Sequence, residues 1–193
     1  MIKEFIDYTY QIFPSIDTNV KNGIKDLIGQ YDTFKPNWFS DTLEILSQGD
    51  IIDNLPFLEY DDEGNEIPFM TKGMILSNTC DLTRDKNIIV APLIPFNNDF
   101  KPATKEAIKN NLVSGKLCLS CCELEDFYID FSMSTSFPRN VIMNLYEEKK
   151  INRVHSLSQF GFYFLCSKVA IYYLRVENYE NFNLRSEDMF IEE

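Results

Sequence analysis

The chain has 193 residues, 45% of them apolar and 25% charged, and its 30 acidic against 18 basic side chains leave a net charge of −12. That apolar content excludes a disordered chain, and this length buries roughly 70% of the extended surface, enough for one core with appended helices. The negative charge excludes non-specific coating of DNA or RNA, which needs clustered Lys and Arg against the phosphates.

In residues 1–30 the apolar positions Ile2, Phe5, Ile6, Ile12 and Phe13, then Val20, Ile24, Leu27 and Ile28, predict two short helices broken at Pro14. Ser40 is placed to cap a further short helix through Leu46, ending near Gly49. From Asp50 the texture changes. Asp50 to Tyr60 and Ile67 to Ser77 predict two strands joined at Asp61-Asp-Glu-Gly-Asn65, because Gly64 and Asn65 tolerate the positive φ a hairpin requires. A third strand is expected over Asn87–Leu93, and a helix starting at Pro102 and running to Val113 before Gly115. Two more strands fit Lys116–Cys122 and Phe127–Phe131, around the acidic turn Glu123–Asp126. Pro138–Lys149 predicts a helix, and a long helix from about Ser156 to Glu177 closes the fold before a polar, acidic tail.

The stretch Val154–Leu174 has Lys168 as its single full charge, yet His155, Ser156, Ser158, Gln159 and Ser167 make it too polar for a lipid-facing span. Leu157, Phe160, Gly161, Phe164, Leu165 and Tyr172 fall at helical spacing and predict a helix packed on a core. Five cysteines, at 80, 118, 121, 122 and 166, set no regular disulfide framework. The first 20 residues, with Glu4 and Asp7, lack a secretory signal pattern, so a reducing cytoplasm is the expected home. The charge is uneven: residues 1–100 carry 17 acids and 7 bases, and nine acids without a Lys or Arg lie between Pro36 and Thr71. The expected reading of that run is a solvated hairpin face, with a site for a basic partner as the alternative.

Three motifs carry a family resemblance: Gln48-Gly-Asp-Ile-Ile52, Lys72-Gly-Met-Ile-Leu-Ser-Asn78 and Asn87-Ile-Ile-Val-Ala-Pro-Leu93. Together, over about 50 residues, they resemble the core of the MazF/PemK-like proteins, small SH3-like barrels that are typically dimeric and best known as toxin endoribonucleases held by an antitoxin. Leu76-Ser-Asn-Thr-Cys-Asp81 is also similar to a Leu-Ser-x-Thr-Cys-Asp signature of uncharacterised bacterial proteins. The resemblance implies a small SH3-like β-barrel, which with the predicted N-terminal helices and long C-terminal helix makes an α+β fold. It is expected as a single domain, with a helical extension over 1–47, the barrel core over 48–135, C-terminal helices over 136–177 and an acidic tail over 178–193. The ribonuclease members resemble one another in an arginine before the second motif and a Ser or Thr after Val-Ala-Pro. Here those positions hold Thr71-Lys72 and Leu93-Ile94-Pro95. Lys72 supplies a point charge without the arginine fork, and the hydroxyl is missing.

Lys72, Cys80, Asp81, Arg84 and His155 are the candidate site residues. Cys80 fits a nucleophile if a nearby cation or base lowers its pKa, Asp81 an acid or base and Arg84 an anion contact; a buried cysteine beside a loop-capping Asp81 is the bland alternative. His155, the only histidine, must carry any imidazole chemistry. Its setting, Arg153-Val-His-Ser-Leu-Ser-Gln159, predicts a helix start with Ser156 and Gln159 as a capping box, where a packing role is expected. Arg153, Lys168 and Arg175 flank that helix and are expected in salt bridges to surface acids. Cys118, Cys121 and Cys122 lie on a predicted strand that points them to opposite faces, so no metal is expected. No phosphate loop or dinucleotide fingerprint occurs, so no cofactor is expected either. The aromatic residues are not interleaved with bases as in stacking platforms.

The expected function is a non-catalytic or regulatory barrel acting through protein contacts, with a protein partner and a possible homodimer but no membrane. The resemblance implies a bacterial toxin–antitoxin or phage-defence type setting. The alternative keeps endoribonuclease activity, with RNA bound at a rearranged site of Lys72, Asp81 and Arg84. A third reading places a small molecule or peptide between barrel and long helix.

Overall fold

The computed structural model describes residues 37–40, 43–97, 100–119 and 124–174. The two predicted N-terminal helices, Cys121, Cys122, Arg175 and the acidic tail lie outside the described residues. Strands β1 (Ile51–Tyr60) and β2 (Glu66–Ile75) form the expected hairpin. Its turn closes because the Asp61 carboxylate accepts the Glu63 and Asn65 amides at 2.9 and 2.8 Å, while Gly64 takes a φ of 84°.

β3 (Asn87–Pro95) pairs with β2 through Gly73–Ile75 on one edge. Its other edge is shared by β5 (Phe127–Asp130), opposite Leu93–Pro95, and β6 (Thr135–Pro138), opposite Asn87–Val90. A 3-10 turn at Phe131–Met133 separates those two strands, started by Asp130 accepting the Ser132 amide. β4 (Lys116–Leu117) flanks β5, and β7 (Arg153–His155) flanks β1. The result is a seven-stranded antiparallel sheet in the order β4-β5-β3-β2-β1-β7, with β6 also on β3. The fold is α+β, and the sheet is open: its path ends at β4 and β7.

Three helices among the described residues cover it: α1 (Pro102–Lys109), α2 (Arg139–Glu147) and α3 (Gln159–Leu174). Alternation along the strands sorts the core into two layers. Ile51, Met74, Ala91 and Leu93 pack with Trp38, Phe160, Phe164 and Leu165 beneath α3. Ile52, Leu55, Phe57, Ile75, Ile88 and Val90 pack on the opposite face with Ile142 of α2. Ile108 of α1 is seated in a smaller cluster with Cys118 and Tyr128. Phe160, Gly161, Phe164 and Leu165 are buried as their spacing predicts, and no described helix is long and apolar enough to cross a membrane.

Several expectations are corrected. Residues 43–49 form bends and a turn where a helix through Leu46 was predicted. Their main-chain groups are taken from outside: Arg153 donates to the Leu43 and Ile45 carbonyls, and Asp50 accepts the Ser47 amide. The cysteine strand stops at Leu117, because the Asn111 side chain takes both main-chain groups of Cys118, at 2.8 and 2.9 Å. His155 lies in β7, not at a helix start. Ser158 is the real cap of α3, its Oγ accepting the Gly161 amide at 3.2 Å, and Ser156 Oγ donates instead to Asp50. β6 and β7 were missed, and Lys168 is buried against carbonyls where a surface salt bridge was expected.

Candidate functional site

A concavity is built where β2 and β3 part. β3 turns away after Pro92 to meet β5, and Thr71 bridges the divergence by donating its hydroxyl to the Leu93 carbonyl at 2.7 Å. On the other side β1 carries a bulge between Ile52 and Leu55, with Asn54 at a φ of 55°. The groove between has a volume of about 530 Å³ and is lined by Asp53, Asn54, Phe69, Met70, Thr71, Lys72, Leu93, Pro95 and Phe127. Its walls are mainly apolar.

Lys72 is the cation of this groove. Its ammonium lies 5.3 Å from the centre of the Phe127 ring, a cation–π contact that fixes the charge against the wall. The other polar groups are engaged. Asp53 accepts the Asn152 amide at 2.6 Å and its side-chain N–H at 3.4 Å, and Asn54 donates to the Lys150 carbonyl at 3.2 Å. The Thr71 hydroxyl proton is spent on Leu93. Leu93-Ile94-Pro95, where the resemblance leads one to expect a Ser or Thr, carries no hydroxyl, and Ile94 packs with the α1 cluster. The groove therefore offers one fixed cation and an apolar floor, without a paired acid and base or a second cation among its lining residues.

The remaining sequence candidates sit elsewhere. Cys80, Asp81 and Arg84 occupy the loop after β2, where Asp81 opens a 3-10 turn. That loop is organised by the Asn78 side chain accepting the Cys80 amide at 2.9 Å and by Thr83 donating to the Cys80 carbonyl at 2.9 Å. The Cys80 thiol is exposed. His155, in β7 beside β1, stacks on Phe39 with ring centres 4.4 Å apart, so its ring serves packing. The structure thus splits the five residues among the groove, the β2–β3 loop and β7, and none but Lys72 lines the groove. No group of three or more His, Cys, Asp or Glu able to hold a metal occurs among the described residues.

Sequence reasoning missed a buried polar clasp at the start of β1. Asp50 is fully buried and accepts from Ser156 Oγ at 2.7 Å and the Ser47 amide at 2.9 Å, with the Arg153 guanidinium 3.5 Å away. Burial pushes its carboxyl above the usual carboxylate range, against the lowering pull of those donors. Asp50 stands within the Gly-Asp-Ile motif, so the motif signalled the position but not its partners. No protein-family model matches the chain, and no curated protein matches its sequence.

Proposed function

We propose that this chain is a non-catalytic or regulatory protein of MazF/PemK-like kind, acting through protein contacts in a bacterial toxin–antitoxin or phage-defence type system. The observation that carries the reading is the groove at Lys72. Lys72 and Leu93, at the two positions where the resemblance implies RNA contacts, line it, yet its hydroxyl and carboxylate are engaged by main chain and Asn152, and its one cation lies on Phe127. Transition-state stabilisation of phosphoryl transfer needs charge and proton acceptors aimed into the site. An apolar groove with a single fixed cation suits the side chains of a bound protein better. The bent β3, which pairs with β5 and β6 by different halves, supports reading the sheet as a descendant of a small SH3-like barrel.

Incubation of the purified chain with a mixed RNA, read on a sequencing gel, tests this. The RNA is expected to remain uncut; cleavage abolished by Lys72→Ala and Arg84→Ala overturns the proposal in favour of an endoribonuclease. Co-expression with the products of neighbouring reading frames tests the protein-contact half, with co-purification at fixed stoichiometry expected.

A further inference from the structure

The β1–β2 hairpin outruns the sheet that holds it. β3 pairs with β2 only over Gly73–Ile75 and β7 with β1 only over Ile51–Ile52, so residues 55–60 and 66–71 form a ribbon beyond their neighbours. A two-stranded ribbon is marginal alone. One face is anchored, with Phe57 stacked on Phe69 at 5.8 Å and edge-on to Phe137 at 5.6 Å. The other face continues the layer that α3 covers at Ile51 and Met74, and there no element among the described residues lies over it. Pro56, Leu58, Tyr60, Pro68 and Met70 all face solvent, with Leu58, Tyr60 and Met70 exposed by 41%, 60% and 58%. This apolar face runs down to the Lys72 groove, which Met70 also lines.

The pairing phase decides how a partner can bind. Asp61 donates to the Asn65 carbonyl at 3.1 Å, so in the register that follows Glu59, Phe57 and Leu55 bond across to Ile67, Phe69 and Thr71. The main-chain groups of the intervening residues point outward from the two edges, and in the middle of each edge stands a proline, Pro56 on β1 and Pro68 on β2. Neither has an N–H. Addition of a strand is thereby blocked on both sides, the usual protection of an exposed edge. The bare face remains. Glu66 stands on this face opposite Tyr60, Asp61, Asp62 and Glu63 close its tip, and no Lys or Arg occurs between Pro36 and Thr71. A second copy of the same hairpin meets like charge there, whereas a cationic segment is attracted.

We infer that the outer face of this hairpin is a docking surface for a basic amphipathic helix of another protein, which lays its apolar stripe on Leu58, Tyr60 and Met70 and its Lys and Arg side chains along the acidic rim. This rests on the protein-contact reading above and names the partner's chemistry. Five residues of strand span about 17 Å, which about three turns of helix match, and α3 already packs helix on sheet over the adjoining part of the face.

The test uses the full chain and two fluorescein-labelled peptides of about fourteen residues, one of leucine and lysine and one of leucine and glutamate, with identical helical leucine spacing. Fluorescence anisotropy is expected to show the lysine peptide binding at least tenfold more tightly, with affinity falling as salt rises. Leu58→Ser with Tyr60→Ser, both surface changes, weakens it at least tenfold, and Asp62→Lys with Glu66→Lys moves the preference to the glutamate peptide. Lys105→Ala, on α1, leaves binding unchanged. Equal binding of the two peptides, binding indifferent to the Leu58 and Tyr60 changes, or self-association of the chain lost in that same variant overturns the inference. Because the RNA assay is independent, absent peptide binding with intact RNA removes this surface and leaves the non-catalytic reading standing.

Discussion

Asp50 places a carboxylate where water does not reach, and the energetics of the clasp follow from that. A buried carboxylate is tolerated when donors surround it, here Ser156, the Ser47 amide and Arg153. Removing the guanidinium strands the charge and also frees the Leu43 and Ile45 carbonyls that Arg153 holds. Arg153→Met is expected to lower unfolding stability by about 3 kcal/mol in urea denaturation. Adding Asp50→Asn, which removes the charge, recovers part of that loss; a double variant less stable than the single would show that the pair is not coupled. Little of this was legible in the sequence. Ser156 and Asp50 are 106 residues apart, and local pattern assigned Ser156 to a helix cap because Gln159 follows three residues later. The deeper partner won, since leaving a buried carboxylate unpaired costs more than moving a helix start by two residues.

Among the elements, the hairpin, β3, β5 and the three helices were legible because each shows a period or a turn or stop signal: Gly64 and Asn65 between β1 and β2, Pro102 before α1, a helical stripe in α3. β6 and β7, with four and three residues, were not. Strands so short carry no period, and exist because β3 and β1 offer them an edge. The seat of α3 depends on one close approach. A Cβ on Gly161 meets the Trp38 carbonyl oxygen at 2.6 Å and Leu157 at 3.0 Å, and the main-chain oxygen cannot swing away. Gly161→Ala is expected to cost roughly 1–3 kcal/mol despite alanine's better helix propensity. Thermal melting checks this: a melting temperature equal to or above that of the parent chain would mean that α3 can shift off residues 37–40.

For the molecule as a whole, the charge that first counted against nucleic acid turns out to have a shape. Five acids and no base fall on the projecting residues 55–71, whereas four lysines lie over aromatic rings: Lys105 and Lys109 over Phe96, Lys116 over Tyr128, Lys72 over Phe127. Lys168 is different. It is buried, donates to the Asn111 and Val113 carbonyls at 3.1 and 2.6 Å, and desolvation brings its pKa down from 10.5 to about 8. The unfolded chain keeps this proton up to about pH 10.5 while the native protein releases it near 8, so the unfolded state binds more protons in that window and stability rises with pH. Burial raises Cys166 to about 11 and Tyr128 to about 12, which acts in the opposite direction. Measured as the difference from Lys168→Met, which cancels those groups, stability is expected to gain on the order of 2 kcal/mol between pH 8 and 10. A difference that stays flat with pH refutes the titration.

By itself the sequence determined the α+β class, the hairpin with its turn, the helical stripe of α3 and the concentration of acid between Pro36 and Thr71, because each is written in neighbouring residues through a period, a turn residue or a run of charge. Only the tertiary structure decided which cation lines a groove, that Cys80, Asp81, Arg84 and His155 stay apart from it, and that Asp50 and Lys168 are buried. It also set the two hairpin prolines on outward-facing edge positions, leaving one apolar face uncovered among the described residues. Those facts depend on contacts between residues far apart in the chain, where the free energy of satisfying a buried charge or covering an apolar face outweighs local preference.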